Sequence, residues 1–96
     1  MDKKREVAAE YFYKSAAAIE DTDEAINFFR FLCTEKEVQL MAQRLYVAKL
    51  LSENRVYTDI VAQTGASSAT VSRVKRAMQT DSEYFAQLLG KLNEQL

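Results

Sequence analysis

From Thr34 to about Glu53 the chain reads TEKEVQLMAQRLYVAKLLSE, a helical run whose apolar residues do not keep to one side. Thr34-Glu35-Lys36-Glu37 fits a capping box, in which a Thr oxygen accepts from the amide three residues on while Glu37 reaches back, so a helix is predicted to start there. Within it Val38, Leu40, Met41, Ala42, Leu45, Tyr46, Val47, Ala48, Leu50 and Leu51 spread around most of the circumference. A helix apolar nearly all round is a buried helix. The chain has only 96 residues. A domain of that size buries roughly two-thirds of its unfolded surface. Its own neighbours can hardly cover such a helix, and the economical cover is a second copy, most simply in a twofold homodimer.

The remaining sequence fits the same picture. With no Pro, 2 Gly and 48% hydrophobic residues, the chain turns rarely, and an all-α fold is expected. A first helix is predicted over Lys4–Ile19, with Val7, Tyr11, Ser15 and Ala18 on one face. Asp21-Thr22-Asp23 supplies cap-type residues for a short second helix ending near Leu32, dense in Ile26, Phe28, Phe29 and Phe31. A last helix over Ser82–Leu96 carries a stripe of Phe85, Leu88, Leu89, Leu92 and Leu96. The expected organisation is a single domain over 1–96: dimerisation helices in 1–54, a helix-turn-helix in 55–78 and a C-terminal packing helix in 82–96.

Several function classes drop out. The chain has no His and a single Cys, so there is no His base or triad, no intrachain disulfide and no cysteine zinc site. No Gly-rich phosphate loop or nucleophile–base set is present, and neither an enzyme nor a metal site is expected. Cys33 reads as a small packed residue, and Glu20, Asp21, Asp23 and Glu24 as a charged capping turn without calcium-loop spacing. No apolar run approaches the ~18–20 residues of a bilayer span, and no signal-peptide core follows the N-terminus. A cytoplasmic protein without membrane contact is the expectation.

One stretch has a different texture. Arg55, Arg73, Lys75 and Arg76 stand against Asp59, a net +3 in a chain whose formal net charge is −1. Within it a short helix, with Thr58 as its expected cap, stops at Gly65, which suits the left-handed conformation that ends a helix. A second helix begins after Ser67 or Ser68. Ile60, Val61, Ala66, Val71 and Val74 take the positions through which two steeply crossing helices would pack, the layout of a helix-turn-helix. Small groups at the start of the second helix let it approach base edges. Arg can bond guanine in a bidentate fashion, and further cations neutralise phosphate. The candidate base-facing residues are Ser67, Ser68, Ala69, Thr70, Ser72 and Arg73, and the candidate phosphate-facing residues are Arg55, Tyr57, Thr58, Lys75 and Arg76.

At Gly65-Ala66-Ser67-Ser68-Ala69-Thr70-Val71-Ser72-Arg73 the chain resembles the Trp repressor superfamily, whose pattern there is Gly-Ala-x-x-Ala-Thr-Ile/Val-Ser/Thr-Arg. It is most similar to the YerC/YecD-type Trp repressor-related proteins, through Ala42-Gln43-Arg44-Leu45 and Val47-Ala48-Lys49-Leu50-Leu51 upstream. The resemblance covers about half the chain, Phe31 to Ala77. It implies an intertwined all-helical homodimer presenting two helix-turn-helix units to successive major grooves of double-stranded DNA, about 34–36 Å apart on a pseudo-palindromic operator. It also implies transcription regulation, as a repressor.

The resemblance further implies a ligand pocket, whose flanking arginines match Arg44 and Arg73, with Thr70 in its lining. Val74 stands where Trp repressors have Gly, and its branched side chain takes space an indole needs. The expectation is therefore no L-tryptophan corepressor, with another small effector left open and a structural or phosphate-facing role for the two arginines as the alternative. Thr58 and Val61 replace basic residues of the Trp repressors, so fewer counterions are released and salt dependence is expected to be shallow. The rival to DNA binding is a protein-interaction module docking on the transcription machinery without base readout. Salt separates the two, because phosphate binding weakens steeply with it and an apolar interface does not.

Overall fold

The computed structural model describes residues 2–95, and over these the chain is helical throughout, with no strand: α1 (Lys3–Ala17), α2 (Thr22–Leu32), α3 (Glu35–Ser52), α4 (Tyr57–Thr64), α5 (Ser68–Thr80) and α6 (Ser82–Gln95). Leu96, expected to close the last apolar stripe, lies outside the described residues.

The helix ends follow from local chemistry. Asp2 caps α1, its Oδ1 accepting from the Lys4 amide at 3.0 Å. The helix stops two residues short of the expected Ile19. There the Ala18 amide is shared between the Lys14 and Ser15 carbonyls and the Ile19 amide bonds Ala16, so the final turn tightens out of the α pattern. Asp21 caps α2 by accepting from the Glu24 amide at 2.8 Å, and Glu24 accepts in return from the Glu20 amide, so the acidic group is the expected capping turn. The predicted capping box forms before α3: the Glu37 amide donates to Thr34 Oγ1 at 3.1 Å and the Thr34 amide to Glu37 Oε1 at 2.8 Å. The Thr34 amide first, and then the Thr34 hydroxyl, hold the Glu37 carboxyl below its ordinary 4.5.

At the end of α3 the left-handed position falls to Asn54, with φ +61°. The Arg55 amide bonds the Leu50 carbonyl and the Asn54 amide the Leu51 carbonyl, the Schellman pairing. Val56 is extended, and its carbonyl already accepts from the Ile60 amide, so α4 starts at Tyr57. Thr58 is therefore not the cap: it sits inside the first turn, and Val56 occupies the cap position without a side-chain bond.

The chain divides into two compact units, Met1–Val38 and Gln39–Leu96. In the first, Phe12 stacks on Phe28 at 6.4 Å between ring centres and Phe28 meets Phe29 edge-on, yet no residue of α1 or α2 is buried. Phe31 is 89% exposed and Tyr11 76%. The second has a true core, built from Val47, Ala48 and Leu50 of α3, Ile60 of α4, Ala66 of the turn, and Val71 and Val74 of α5. Leu51, Met78 and Phe85 flank it. Along α3 only Val47, Ala48 and Leu50 are buried, while Leu40, Met41, Leu45 and Tyr46 stay open. Within this unit the apolar girth of the helix exceeds what the described residues cover.

Candidate nucleic-acid interface

The second unit's core exists to fix one corner. Ile60, Ala66, Val71 and Val74 are buried where α4 meets α5, as the spacing predicts. Val61 is not part of this packing and is 36% exposed. At about 100° per residue it falls beside Ile60, on the rim of the helix, not beneath it. Gly65 makes the turn with φ +72°, its amide bonding the Val61 carbonyl at 2.9 Å. Thr64 closes the corner from inside: its hydroxyl donates to the Ile60 carbonyl at 2.7 Å and accepts from the Ala66 amide at 3.1 Å. Its carbonyl accepts from Gln43 Nε2 of α3 at 3.0 Å.

Ser67 caps α5, accepting from the Thr70 amide at 3.1 Å and donating to Thr70 Oγ1 at the same distance. The cap is Ser67, which resolves the choice between it and Ser68. Two of the candidate base-facing hydroxyls are thus engaged with each other, and Thr70 is half-buried, as is Ser72. Ser68, Ala69 and Arg73 are exposed, and Arg76 continues the line one turn on. Ala69, Arg73 and Arg76 share one helical face, opposite buried Val71 and Val74. The helix carries Arg73, Lys75 and Arg76 and no carboxylate.

The candidate phosphate-facing residues separate into two groups. Lys75 Nζ lies 5.6 Å from the centre of the Tyr57 ring, which brings α5 and the start of α4 into one cationic edge. Arg55 stands apart, bracketed by carboxylates: Nη1 is 2.9 Å from Asp59 Oδ2 and Nε 3.8 Å from Glu53 Oε1. Asp59 also accepts from Gln63 Nε2 at 3.1 Å, and its carboxyl is held below the ordinary 3.8, first by Gln63 and then by Arg55. Thr58 is exposed in the first turn of α4.

Arg44 is exposed on α3, and among the described residues no hydrogen bond or ion pair joins it to Thr70 or Arg73. Val74 is buried in the core. A cleft of about 390 Å³ opens elsewhere, along α3 and α6, between Ala42, Leu45, Tyr46, Leu89 and Leu92. Gln43 and Thr64 hold the corner but do not figure among the sequence candidates. The signal for Gln43 was there: it lies one and two turns before Val47 and Leu50 on the same face, a polar residue on a buried stripe.

A capped, carboxylate-free helix set on a glycine corner is the layout expected of a helix-turn-helix, and the comparisons with known proteins supply the family. The family model of the Trp repressor protein matches residues 8–93, and the chain belongs to that family, one of DNA-binding transcription regulators, not of enzymes. It is 38% identical over 94 residues to the uncharacterized protein YerC of Bacillus subtilis (strain 168), covering 98% of this chain and 90% of that protein. Among solved structures it is similar to a TrpR-like protein from Eubacterium eligens ATCC 27750, with TM-score 0.84 and 38% identity over 90% of this chain and 89% of that one. A candidate Trp repressor from Staphylococcus aureus matches with TM-score 0.85 and 34% identity, over 97% and 95% of the two chains. No helix of the described residues is long and apolar enough to cross a membrane.

Proposed function

We propose that the chain is a sequence-specific double-stranded DNA-binding regulator that acts as a homodimer on a pseudo-palindromic operator and represses transcription by occupying promoter DNA. The observation that carries this reading is the outward face of α5, where Ala69, Arg73 and Arg76 lie opposite a fully packed face with no carboxylate on the helix. In this reading Ala69 permits close approach, Arg73 reads a base edge, and Arg76 with Lys75 faces phosphate. The dimer reading is supported by the large apolar residues of α1, α2 and α3 that stay exposed among the described residues.

Repression in this reading needs no tryptophan, since Val74, buried in the core, stands where the Trp repressors have the Gly that leaves room for an indole. A different small effector set against Arg44, Thr70 and Arg73 enters as an arm of the same test. That test is selection from random and genomic double-stranded DNA with purified protein, with and without a metabolite pool, scored against Arg73→Ala. A twofold-symmetric site is expected, and Arg73→Ala is expected to lose ~1–3 kcal/mol of binding to it, the worth of a bidentate guanine contact. Equal affinity of variant and parent removes Arg73 from the readout. Binding that ignores salt and selects no sequence assigns the chain to protein docking instead.

A further inference from the structure

We infer that Gln43 is a positioning residue for the recognition helix: its side-chain amide ties the α4–α5 corner to α3 and so sets how α5 is presented to DNA. The inference rests on the DNA-binding reading above for its consequence, and on three structural facts for its cause. First, Gln43 Nε2 donates to the Thr64 carbonyl at 3.0 Å in a half-buried setting, and the bond spans 21 residues of sequence, where every other side-chain hydrogen bond among the described residues is local. Second, Thr64 ends α4, where carbonyls run out of intrahelical partners. Among the described residues no backbone amide is bonded to the Thr64 carbonyl, and its partner comes from outside the motif. Third, the corner's other polar contacts, Thr64 to Ile60 and Ser67 to Thr70, close within α4, the turn and the start of α5. They shape the corner but do not orient it against α3. The core supplies apolar contact, which is non-directional. The amide bond supplies direction.

Two consequences follow for binding. A corner freed from Gln43 keeps its internal shape and its cations, so contacts to phosphate, which tolerate small rotations, persist. Base-edge contacts do not, because they demand register. The loss therefore falls on discrimination between sites and spares general affinity.

The experiment uses the full chain with Gln43→Met, which keeps length and removes both donors, and Gln43→Glu, which faces a carboxylate to the Thr64 carbonyl when ionised and offers a donor when protonated. Amide hydrogen exchange at Gly65, Ala66 and Thr70 is read alongside affinity for the selected site and for unrelated DNA at one salt concentration. Gln43→Met is expected to speed exchange in the corner and weaken the selected site about tenfold, equivalent to ~1.4 kcal/mol, with unrelated DNA and the salt slope unchanged. Gln43→Glu is expected to show the same exchange defect at neutral pH and to recover as the solution is acidified through the carboxylate range. Unchanged exchange in both variants overturns the positioning role, and so does faster exchange with an unchanged ratio of selected to unrelated affinity. Should the parent select no site, the DNA reading falls by itself, and the exchange data still decide whether Gln43 holds the corner.

Discussion

Arg55 shows why a count of cations is a poor guide to a phosphate-binding surface. Its guanidinium lies between Asp59 and Glu53, so much of its charge is already answered within the protein. Asp59→Asn removes the nearer acid and leaves the Gln63 side able to hydrogen bond. The variant is expected to bind DNA more tightly and with a salt slope steeper by about one per subunit, one more counterion released. Titrations at several salt concentrations check this, and an unchanged slope means Arg55 never reaches phosphate. The clamp is insensitive to pH near neutrality. Because the folded Asp59 carboxyl lies below its ordinary 3.8, its contribution to stability is complete above that value and is lost only as pH falls through the lowered one. DNA binding between pH 5 and 8 is expected to show no step from this group in the parent.

At the scale of the element, the corner at Gly65 decides whether α4 and α5 are one unit. A Cβ placed there meets nothing closer than Gln43 Nε2 at 4.0 Å, so space is available and the cost of a side chain is the backbone conformation alone. Gly65→Ala is expected to destabilise the fold by ~1–2 kcal/mol, the left-handed penalty of an L-residue, as read by denaturant unfolding. A larger loss points to a clash the corner does not have. Helix starts and stops marked by side chains were legible in advance: the Thr34–Glu37 box, the Asp21 cap and the Gly65 turn all form. Thr58 misled because the α3 terminus uses Asn54, not glycine, for its left-handed residue, and this sets the chain into α4 at Tyr57. Val61 misled because Ile60 holds the inward position of this short helix and its neighbour, about 100° round, is left on the rim. The Arg55 bracket and the Gln43 tie depend on side-chain directions across the fold, which spacing along the chain does not carry.

For the whole molecule, the contrast is between a second unit with its own core and a first whose helices bury nothing. Aromatic residues such as Phe31 and Tyr11 are too exposed to hold α1 and α2 together in water. On the homodimer reading, their cover comes from the sibling chain, and unfolding and dissociation become one event. The apparent melting temperature is then expected to rise by roughly 3–5 °C for each tenfold increase in protein concentration, and a midpoint independent of concentration refutes the dimer. On the same reading a solitary chain offers α1 and α2 to proteases and a paired one does not. Regulator made faster than it is degraded accumulates in proportion to the meeting of two newborn chains, and stray copies are cleared. On the proposed reading of a homodimer at an operator, the rate of synthesis acts as a threshold: a trickle of message leaves the operator empty, and a burst fills it.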